Sequence, residues 1–378
     1  MKIVVIGPTY PFAGGISHYN TLLCKNLAQK HDVTLISYKR RYPVFVYPGG
    51  EPIDNKSKKK IKMSAKYILD TLNPITWIQA FLVIKKRNPD MFVLHWVSPF
   101  MTPIFLTITS LVKLFIKAKI LFICHNVLPH ERKFVDKFLT KLVLRNSDYF
   151  IVHSKEDLKN LKLLIPKANV KRTVHPAYEV FKFGEISQRD AKEKLRISDN
   201  SKIILHFGYI RKYKGLIHLI DAMPDILKEI NANLLIVGKF CINKERYIDR
   251  IKKYRIEDNV RIVDEYIPNE EVGVYFSAAD VIVLPYTSAT QSGIIPLAYA
   301  FNKPVITTNV GGLPDVVKDG KTGLIVKPCD SGALSKAIIS YFKANKEKEF
   351  RKNIEREKKR FSWDKMIEII EEFNNKLN

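Results

Sequence analysis

The sequence predicts an α/β protein built from two doubly wound parallel-sheet domains. Its 378 residues exceed what one hydrophobic core usually organises, and 46% of them are hydrophobic. Short apolar segments rich in valine and isoleucine alternate along the chain with segments of helical periodicity. Strands that are apolar along their whole length are typical of parallel sheets covered by helices on both faces. Because the alternation occurs in two successive series, we expect two such domains.

The first series of strand-like segments begins at KIVVIG, and Gly14-Gly15 and a helical segment follow it. The remaining predicted strands of this series are DVTLIS (32–37), MFVLHW (91–96), KILFICH (119–125) and DYFIVHS (148–154). The second series comprises KIILHFG (202–208), NLLIVG (233–238), VRIV (260–263), VIVLP (281–285), PVITT (304–308) and GLIV (323–326).

The boundary between the two series predicts an N-terminal domain over residues 1–180 and a C-terminal domain over residues 181–360. The intervening segment 175–200 carries charge, Pro176 and Gly184 but no strong strand pattern, so it is the candidate linker. The tail 361–377 is amphipathic and predicts a final helix.

The net charge of the chain is +25, which favours an anionic partner. The partner could be nucleic acid, an acidic lipid surface or a phosphorylated substrate. The alternative is that the lysines form a solvated surface without a partner. The four cysteines are far apart and form no CxxC pair, which argues against a disulfide framework or a zinc site. A reducing compartment fits this cysteine usage best.

Two apolar segments are candidates for targeting or membrane elements. The N-terminal run is too short for a signal peptide and is interrupted by Pro8 and Pro11. The segment 101–112 is too short to span a bilayer, so it is a buried helix or one that lies in a membrane interface. Burial is the favoured alternative, because short apolar helices normally pack on sheets.

Residues that bind ligands in parallel sheets lie at the carboxyl ends of strands, and the segment HFGYIRKYKG (206–215) is the most informative such place. The predicted strand ends at Gly208, and Arg211, Lys212 and Lys214 then precede Gly215 and the next helix. Cations beside a helix start can bind a diphosphate, although a solvated basic turn has the same composition.

Two further strand-to-helix turns suit phosphate oxygens. Gln291, Ser292, Gly293 and Ile294 lie where a strand gives way to a helix, and neutral hydroxyl and N–H groups there can donate to an anion. An ordinary helix cap by Ser292 is the alternative. Gly14-Gly15 is a weaker candidate, since the full GxGxxG pattern is missing and two glycines often form a simple turn.

Histidines supply the candidates for the first domain. His125 lies at the end of a predicted strand, and His130 and Glu131 follow it in the segment FICHNVLPHE. His18 and His95 are weaker candidates, since a lone histidine is more often structural than catalytic. The sequence contains no Asp-x-Asp, HExxH or Walker lysine motif, so no metal site is predicted.

Taken together, these residues resemble the family-four glycosyltransferases with the GT-B fold. The matching segments occur in order through nearly the whole chain and are PTYPFAGGISHYN (8–20), ICHNVLPHE (123–131), HFGYIRKYKG (206–215), YIPNEEV (266–272), SATQSGIIPLAYAFNKPVITTNVGGLPDVV (288–317), DGKTGLIV (319–326) and FSWDKM (361–366). Each segment is a weak signal, and their shared order makes the match specific.

The resemblance implies two Rossmann-like domains that face each other across a cleft. The N-terminal domain would take the acceptor and the C-terminal domain a nucleotide-sugar, while the helix 361–378 would pack back on the N-terminal domain. The activity implied is a retaining, metal-independent glycosyltransferase of the hexosyltransferase type, which needs no cofactor because the nucleotide-sugar is a substrate.

The resemblance also assigns roles to individual residues. Arg211 and Lys214, with His125, would be catalytic, the two cations stabilising the leaving diphosphate and the histidine contacting the donor sugar. The other donor-binding residues would be Gly14, Gly15, Gly208, Tyr266, Ile267, Gln291, Ser292, Gly293 and Ile294. The weak acceptor-side candidates are His18, His130 and Glu131.

The chain departs from the usual family pattern at three positions. Many members carry a Glu-x7-Glu pattern where this sequence has Ala289 and Leu297, and the second glutamate usually binds the ribose hydroxyls. The usual arginine directly after the glycine is Tyr209 here, with Arg211 two residues further on. A branch of the family with a QSG turn looks like this.

The expected partners are a nucleotide-sugar donor, a glycan or lipid-linked acceptor and an anionic membrane contacted peripherally, with no nucleic acid. Synthesis of a cell-surface polysaccharide or glycolipid at the inner face of the cell membrane, in the cytoplasm, is the corresponding role. The alternatives are a sugar-nucleotide epimerase or phosphorylase and a non-catalytic module that binds membrane or nucleic acid on the same fold.

Overall fold

The computed structural model describes residues 1–43, 53–129 and 134–375. The chain divides into two compact units. The first unit comprises Met1–Asn55, Lys60–Val174 and Trp363–Asn378, and the second comprises Lys56–Lys59 and His175–Ser362.

The first unit contains a seven-stranded parallel sheet. Its strands are β1 (Lys2–Ile6), β2 (Asp32–Arg40), β3 (Lys66–Asp70), β4 (Met91–Trp96), β5 (Lys119–Cys124), β6 (Tyr149–Val152) and β7 (Val170–Arg172). They are arranged in the order β3-β2-β1-β4-β5-β6-β7. The helices of this unit are α1 (Gly15–Leu27), α2 (Pro74–Arg87), α3 (Thr102–Phe115), α4 (Phe134–Leu144), α5 (Lys155–Leu164) and α14 (Trp363–Asn375).

Helices cover both faces of this sheet. The central strand β4 is buried at every position, as its continuous apolar sequence predicts. On one face the C-terminal helix α14 packs near α1, and Ile367 and Phe373 join a core with Val5 and Val93. On the other face α2 and α3 pack side by side, and so do α3 and α4.

The second unit contains a six-stranded parallel sheet in the order β10-β9-β8-β11-β12-β13. Its strands are β8 (Lys202–Phe207), β9 (Ala232–Val237), β10 (Val260–Val263), β11 (Val281–Leu284), β12 (Val305–Thr308) and β13 (Gly323–Val326). Its helices are α6 (Gln188–Lys194), α7 (Leu216–Glu229), α8 (Glu245–Tyr254), α9 (Asn269–Ala278), α10 (Ile294–Ala300), α11 (Leu313–Val316), α12 (Ser331–Lys343) and α13 (Glu347–Glu357).

The predicted strands occur in the structure within one or two residues at most ends, and the two parallel sheets confirm the predicted fold class. Two strands, β3 and β7, were not predicted. Both lie at sheet edges and are only partly buried, so neither has the continuous apolar run that marks an interior strand. The candidate linker 175–200 is part of the second unit and contains α6.

The apolar segment 101–112 forms most of α3. Its inner side is buried through Ile104, Phe105, Ile108 and Val112, so burial, the favoured alternative, is what the structure shows for these positions. Among the described residues, no helix is long and apolar enough to cross a bilayer.

Candidate functional site

The turn after β8 brings a lysine ammonium against the backbone of the second unit. Gly208 has a φ of 98°, a value that glycine tolerates and other residues rarely adopt. A Cβ atom at Gly208 would lie 3.0 Å from Lys214 Nζ and 3.4 Å from Ile294 Cδ1. Glycine therefore lets Lys214 and the start of α10 approach the end of the strand.

A second glycine fixes this turn against the end of β11. Residues 212–214 form one turn of 3₁₀ helix, which ends at Gly215 with a φ of 65°. A Cβ atom at Gly215 would lie 1.9 Å from the carbonyl oxygen of Pro285, so a larger residue cannot fit there. The N–H of Thr287 donates to the carbonyl of Tyr213 over 2.8 Å, which joins the two strand ends.

Lys214 is a buried cation without a counter-ion among the described residues. Lys214 is only 8% exposed, and its ammonium makes no hydrogen bond or ion pair with any described residue. The ammonium lies 5.7 Å from the ring centre of Tyr286. Burial lowers the pKa of Lys214, and the positive charge of Arg211 lowers it further. Such an environment favours an anionic ligand, which would restore the pKa and neutralise the charge.

The structure separates the three cations of this turn. Lys214 points into the unit, Arg211 is half-buried beside it, and Lys212 is exposed. Lys214 and Arg211 are therefore placed to act together on one anion, whereas Lys212 is solvated.

The QSG turn lies at the start of α10, next to the Lys214 turn through Ile294. The hydroxyls of Tyr286 and Ser292 are hydrogen-bonded over 3.3 Å, and Ser292 Oγ also accepts from the N–H of Ile294 over 3.3 Å. Ser292 thus accepts a hydrogen bond from the first turn of α10, as the capping alternative requires, but the residue at the cap position is Gly293. Gln291 lies in the same turn and is partly exposed.

Tyr178 approaches this turn from the segment that was expected to be a linker. A Cβ atom at Gly293 would lie 3.8 Å from the Tyr178 hydroxyl. That hydroxyl donates to His175 Nε2 over 3.2 Å, because His175 Nδ1 donates to the carbonyl of Pro176 over 3.0 Å. Sequence reasoning missed Tyr178, which is more than 100 positions before Gly293 and belongs to no recognisable motif.

Tyr286 and His206 were also missed. Tyr286 comes two residues after β11 and is buried, so its place at a strand end was a signal that could have identified it. His206 lies within β8, and its Nδ1 donates to the carbonyl of Val283 over 3.0 Å. Burial, with the positive charge of Lys214, lowers the pKa of His206 to about 3. His206 is therefore a neutral group that adds no second charge beside Lys214.

The residues expected to meet a nucleobase follow β10. Ile267 is buried and Tyr266 is half-buried. The Glu-x7-Glu positions carry no carboxylate, and both Ala289 and Leu297 are buried. In the described residues, no group of three or more histidine, cysteine or carboxylate side chains is arranged to hold a metal ion.

In the first unit, His125 belongs to a cluster of three imidazoles. His95 and His125 follow or end neighbouring strands, and His95 Nδ1 lies 2.9 Å from His125 Nε2. The ring centre of Tyr19 lies 4.9 Å from that of His125 and 5.5 Å from that of His153. Burial lowers the pKa of His95 to about 3 and that of His153 to about 4. These two imidazoles, His95 and His153, are therefore neutral.

The other candidates of the first unit lie at the start of α1 or outside the described residues. Gly14 has a φ of 107° and occupies the cap position of α1, and Gly15 is exposed. His18 is half-buried, and burial lowers its pKa to about 4 against the opposing charge of Asp54. His130 and Glu131, the weak acceptor-side candidates, lie outside the described residues.

Comparison with curated proteins finds relatives that match part of the chain. N-acetyl-alpha-D-glucosaminyl L-malate synthase of Bacillus anthracis is 28% identical over 155 residues, which are 40% of this chain and 39% of that protein. The chain spans less than half the length of that protein, and the same holds for two D-inositol 3-phosphate glycosyltransferases from Corynebacterium that it also matches.

Two solved structures share the fold over the whole chain. Sucrose-phosphate synthase from Thermosynechococcus elongatus superposes with a TM-score of 0.78 at 21% identity, and the match covers 100% of this chain and 99% of that one. HepE of Anabaena, solved in complex with UDP, superposes with a TM-score of 0.77 at 15% identity and covers 100% of both chains.

The family model "Glycosyl transferases group 1" matches residues 187–361, the region that contains the Lys214 and QSG turns. Over these residues the chain is similar to the glycosyl transferases group 1 family, and the solved structures show that its fold is the GT-B fold.

Proposed function

We propose that the protein is a retaining glycosyltransferase that moves a sugar from a nucleotide-sugar to a glycan or lipid-linked acceptor. One observation carries the proposal: a buried ammonium without a counter-ion in the described residues, that of Lys214, lies at the carboxyl end of β8. In parallel sheets this edge is where ligands bind.

The chemistry follows from the charge that develops when the donor breaks. Cleavage of the bond between sugar and phosphate leaves its electron pair, and thus negative charge, on the diphosphate. The Lys214 ammonium and the Arg211 guanidinium are cations fixed in a partly buried turn, where their effect on that charge exceeds their effect in water. The Ser292 hydroxyl and the backbone of Gly293 and Ile294 would hold further phosphate oxygens. With two protein cations in place, the proposed reaction needs no divalent metal ion.

The donor we propose is a UDP-sugar. HepE of Anabaena binds UDP and has the same fold, although its sequence is only 15% identical. The backbone around Tyr266 and Ile267 is the proposed contact for the base. Without a glutamate at position 297, a different group must bind the ribose, and the Tyr178 hydroxyl near Gly293 is within the same unit.

In the first unit we propose that His125 contacts the donor sugar and that His95 fixes which of its nitrogens carries the proton. Gly14 and Gly15 would offer backbone N–H groups to the diphosphate, and His18 would belong to the acceptor side. The acceptor role of His130 and Glu131 remains a prediction. A cytoplasmic enzyme that contacts an anionic membrane peripherally, and there extends a cell-surface glycan, is the cellular role that fits the net charge of +25.

The experiment begins with a thermal-shift screen of nucleotide-sugars, because a ligand that binds the folded state raises its melting temperature. The ligand that shifts the wild type is then used to measure donor hydrolysis and transfer by Arg211→Ala/Lys214→Ala. Lys252→Ala/Lys253→Ala on the exposed side of α8 removes the same charge elsewhere in the second unit and is the matched control.

We expect the double variant at 211 and 214 to lose at least about 100-fold in turnover, and the control to keep wild-type turnover. Equal turnover in both variants would overturn the assignment of the phosphate site. Product without any transfer to acceptor would instead favour a sugar-nucleotide epimerase or a hydrolase.

A further inference from the structure

Exposed hydrophobic side chains are concentrated on one side of the first unit. Among the described residues, all eleven large hydrophobic side chains that are exposed belong to this unit, and seven of them lie on α2, α3 and α4. These seven are Ile75, Ile78, Leu82, Leu114, Phe115, Val135 and Phe138. We call the outer side of the three helices, defined by these residues, the helical face.

Helix α2 shows that this exposure is a pattern. Its inner side buries Ala80, Phe81 and Ile84 against the sheet. On its outer side Ile75, Ile78 and Leu82 follow one another at intervals of three and four residues, the spacing of a single helical stripe. Helix α2 therefore has two apolar sides, and only the inner one packs against the core of the unit.

Side-chain contacts join α2 to the end of α3, and α3 to the residues that follow α4. Lys85 Nζ of α2 lies 5.3 Å from the ring centre of Phe115 at the end of α3, and the Phe81 and Phe115 rings are 5.9 Å apart. The side chain of Asn146, just after α4, donates to Thr109 and Ser110 of α3 over 3.1 and 3.2 Å. These contacts show that the three helices lie side by side, with the end of the α2 stripe next to Phe115.

Cations accompany this apolar surface. The three helices contain six basic residues and a single carboxylate; these are Lys85, Lys86, Arg87, Lys113, Lys137 and Lys141, with Asp136. Arg87 is paired with Asp32 over 2.6 Å and Lys113 lies 3.9 Å from Asp148, so four of the six cations have no ion pair among the described residues. Beside the end of α3, a cavity of about 470 Å³ is lined by Lys113, Lys117 and Lys119, with Asp148 as its carboxylate. Favourable interaction with helix dipoles explains cations near helix ends, but it does not explain the exposed apolar stripe.

We infer that the helical face is a peripheral docking surface for an anionic lipid bilayer. Apolar side chains of this kind enter the region between headgroups and acyl chains, while surrounding lysines bind anionic headgroups. A second copy of the chain is a poor occupant, because a two-fold interface would bring the four lysines of one copy, Lys85, Lys86, Lys137 and Lys141, near those of the other. The inference rests on the peripheral membrane contact of the proposed function and deepens it by naming the surface that makes this contact. Binding to lipid does not require turnover, so the two proposals can fail separately.

The lysine-rich segment 55–66 is a weaker candidate for this role in the structure. Lys56 Nζ is paired with Glu265 over 2.5 Å, and the Glu270 carboxylate accepts from the N–H groups of Lys58 and Lys59 over 2.9 and 3.2 Å. Part of its charge is therefore neutralised within the second unit.

The test is flotation of the full chain with vesicles of phosphatidylcholine alone and of phosphatidylcholine with 30% phosphatidylglycerol (about a third anionic lipid). Two variants change the helical face: Lys85→Gln/Lys86→Gln removes charge, and Ile78→Gln/Leu82→Gln removes apolar surface. Lys252→Gln/Lys253→Gln is the matched control, since it removes a lysine pair from the end of another helix, α8. Circular dichroism and melting temperature verify that each variant is folded.

We expect the wild type and the control to float with anionic vesicles and not with neutral ones. Each lysine near an anionic surface contributes about a fivefold factor, so Lys85→Gln/Lys86→Gln should bind roughly 30-fold more weakly. Equal binding of this variant and the control overturns the inference. The inference is also overturned if neither the wild type nor any variant binds vesicles, and the wild type instead forms a concentration-dependent dimer that Ile78→Gln/Leu82→Gln dissociates. Donor turnover is measured separately, so its loss or retention bears only on the proposed function.

Discussion

Lys214→Met should make the protein more stable and much less active. Methionine has nearly the same length as lysine, so the substitution keeps the packing beside Gly208 and removes only the charge. Lys214 is 8% exposed and has no counter-ion among the described residues, so its burial opposes folding. Replacing such a group by an apolar one typically gains about 1–4 kcal/mol, from which the lost contact with the Tyr286 ring subtracts about 1 kcal/mol.

The net expectation is a gain of about 0–3 kcal/mol in the free energy of unfolding, and each kcal/mol gained raises the melting temperature of the second unit by about 2–4 °C. Turnover of the donor should fall about 100-fold or more, because one charge on the leaving diphosphate is lost. Differential scanning calorimetry and initial-rate measurements with the donor found by screening provide the two readings.

Lys303→Met is the matched control, because Lys303 is also buried in the second unit but has partners. Its ammonium donates to the carbonyls of Ser277 and Ala279 over 3.0 and 2.7 Å. Removing the ammonium takes a donor from both carbonyls and leaves that of Ala279 with only a longer hydrogen bond, 3.4 Å from Gln188 Nε2. This variant should therefore lose about 1–3 kcal/mol of stability while the surviving folded protein turns over normally. A Lys214→Met protein that is destabilised yet has wild-type kcat/KM would refute the reasoning, since Lys214 would then act as a structural group.

Two further predictions follow from the structure. Gly208→Ala should lower donor affinity about tenfold or more, because the new Cβ would lie 3.0 Å from Lys214 Nζ and the φ of this residue is 98°. The control is Gly332→Ala in α12, where the new Cβ meets only Asp330 Oδ1 at 3.6 Å. A titration with the donor should show unchanged affinity for this control. The first unit should lose stability as pH falls below 6.5, because burial holds the pKa of His95 at about 3 and that of His153 at about 4, so the unfolded chain binds more protons. At pH 5 each of these histidines should lower the free energy of unfolding by about 2 kcal/mol. Thermal unfolding at pH 7.5 and 5.0 measures this, and His95→Gln should reduce the difference between the two midpoints. Equal midpoints in the wild type would contradict the prediction.

The interior strands could be predicted from the sequence because burial on both faces leaves a physical mark. Strands such as β4 and β8 are apolar at almost every position. Strands β3 and β7 have one side free at a sheet edge, so their sequences need not be apolar throughout. Their pairing depends on tertiary contacts that the local sequence does not contain.

The site could be predicted only as far as strand ends specify it. Gly208 and the following cations are adjacent in sequence, so their proximity was predictable. Which cation turns inward depends on the 3₁₀ turn and on the contact of Gly215 with Pro285, and this separates Lys214 from Lys212. Tyr178 reaches Gly293 from a distant segment, and no pattern in a single sequence reports such a contact.

The helical face shows a similar limit. The sequence indicated that segment 101–112 is buried, and the structure agrees for its inner side. The outer stripe of α2 is visible only once the inner side is known, because Ile75, Ile78 and Leu82 alternate along the chain with residues that are buried.

The central claim is that fixed protein cations of the second unit bind the leaving diphosphate. A crystal structure of the protein with UDP tests it most directly. Our account predicts diphosphate oxygens within about 3.2 Å of Lys214 Nζ, with the Arg211 guanidinium on the same group. A UDP molecule whose phosphates bind elsewhere, while the Lys214 ammonium contacts only water, would contradict it.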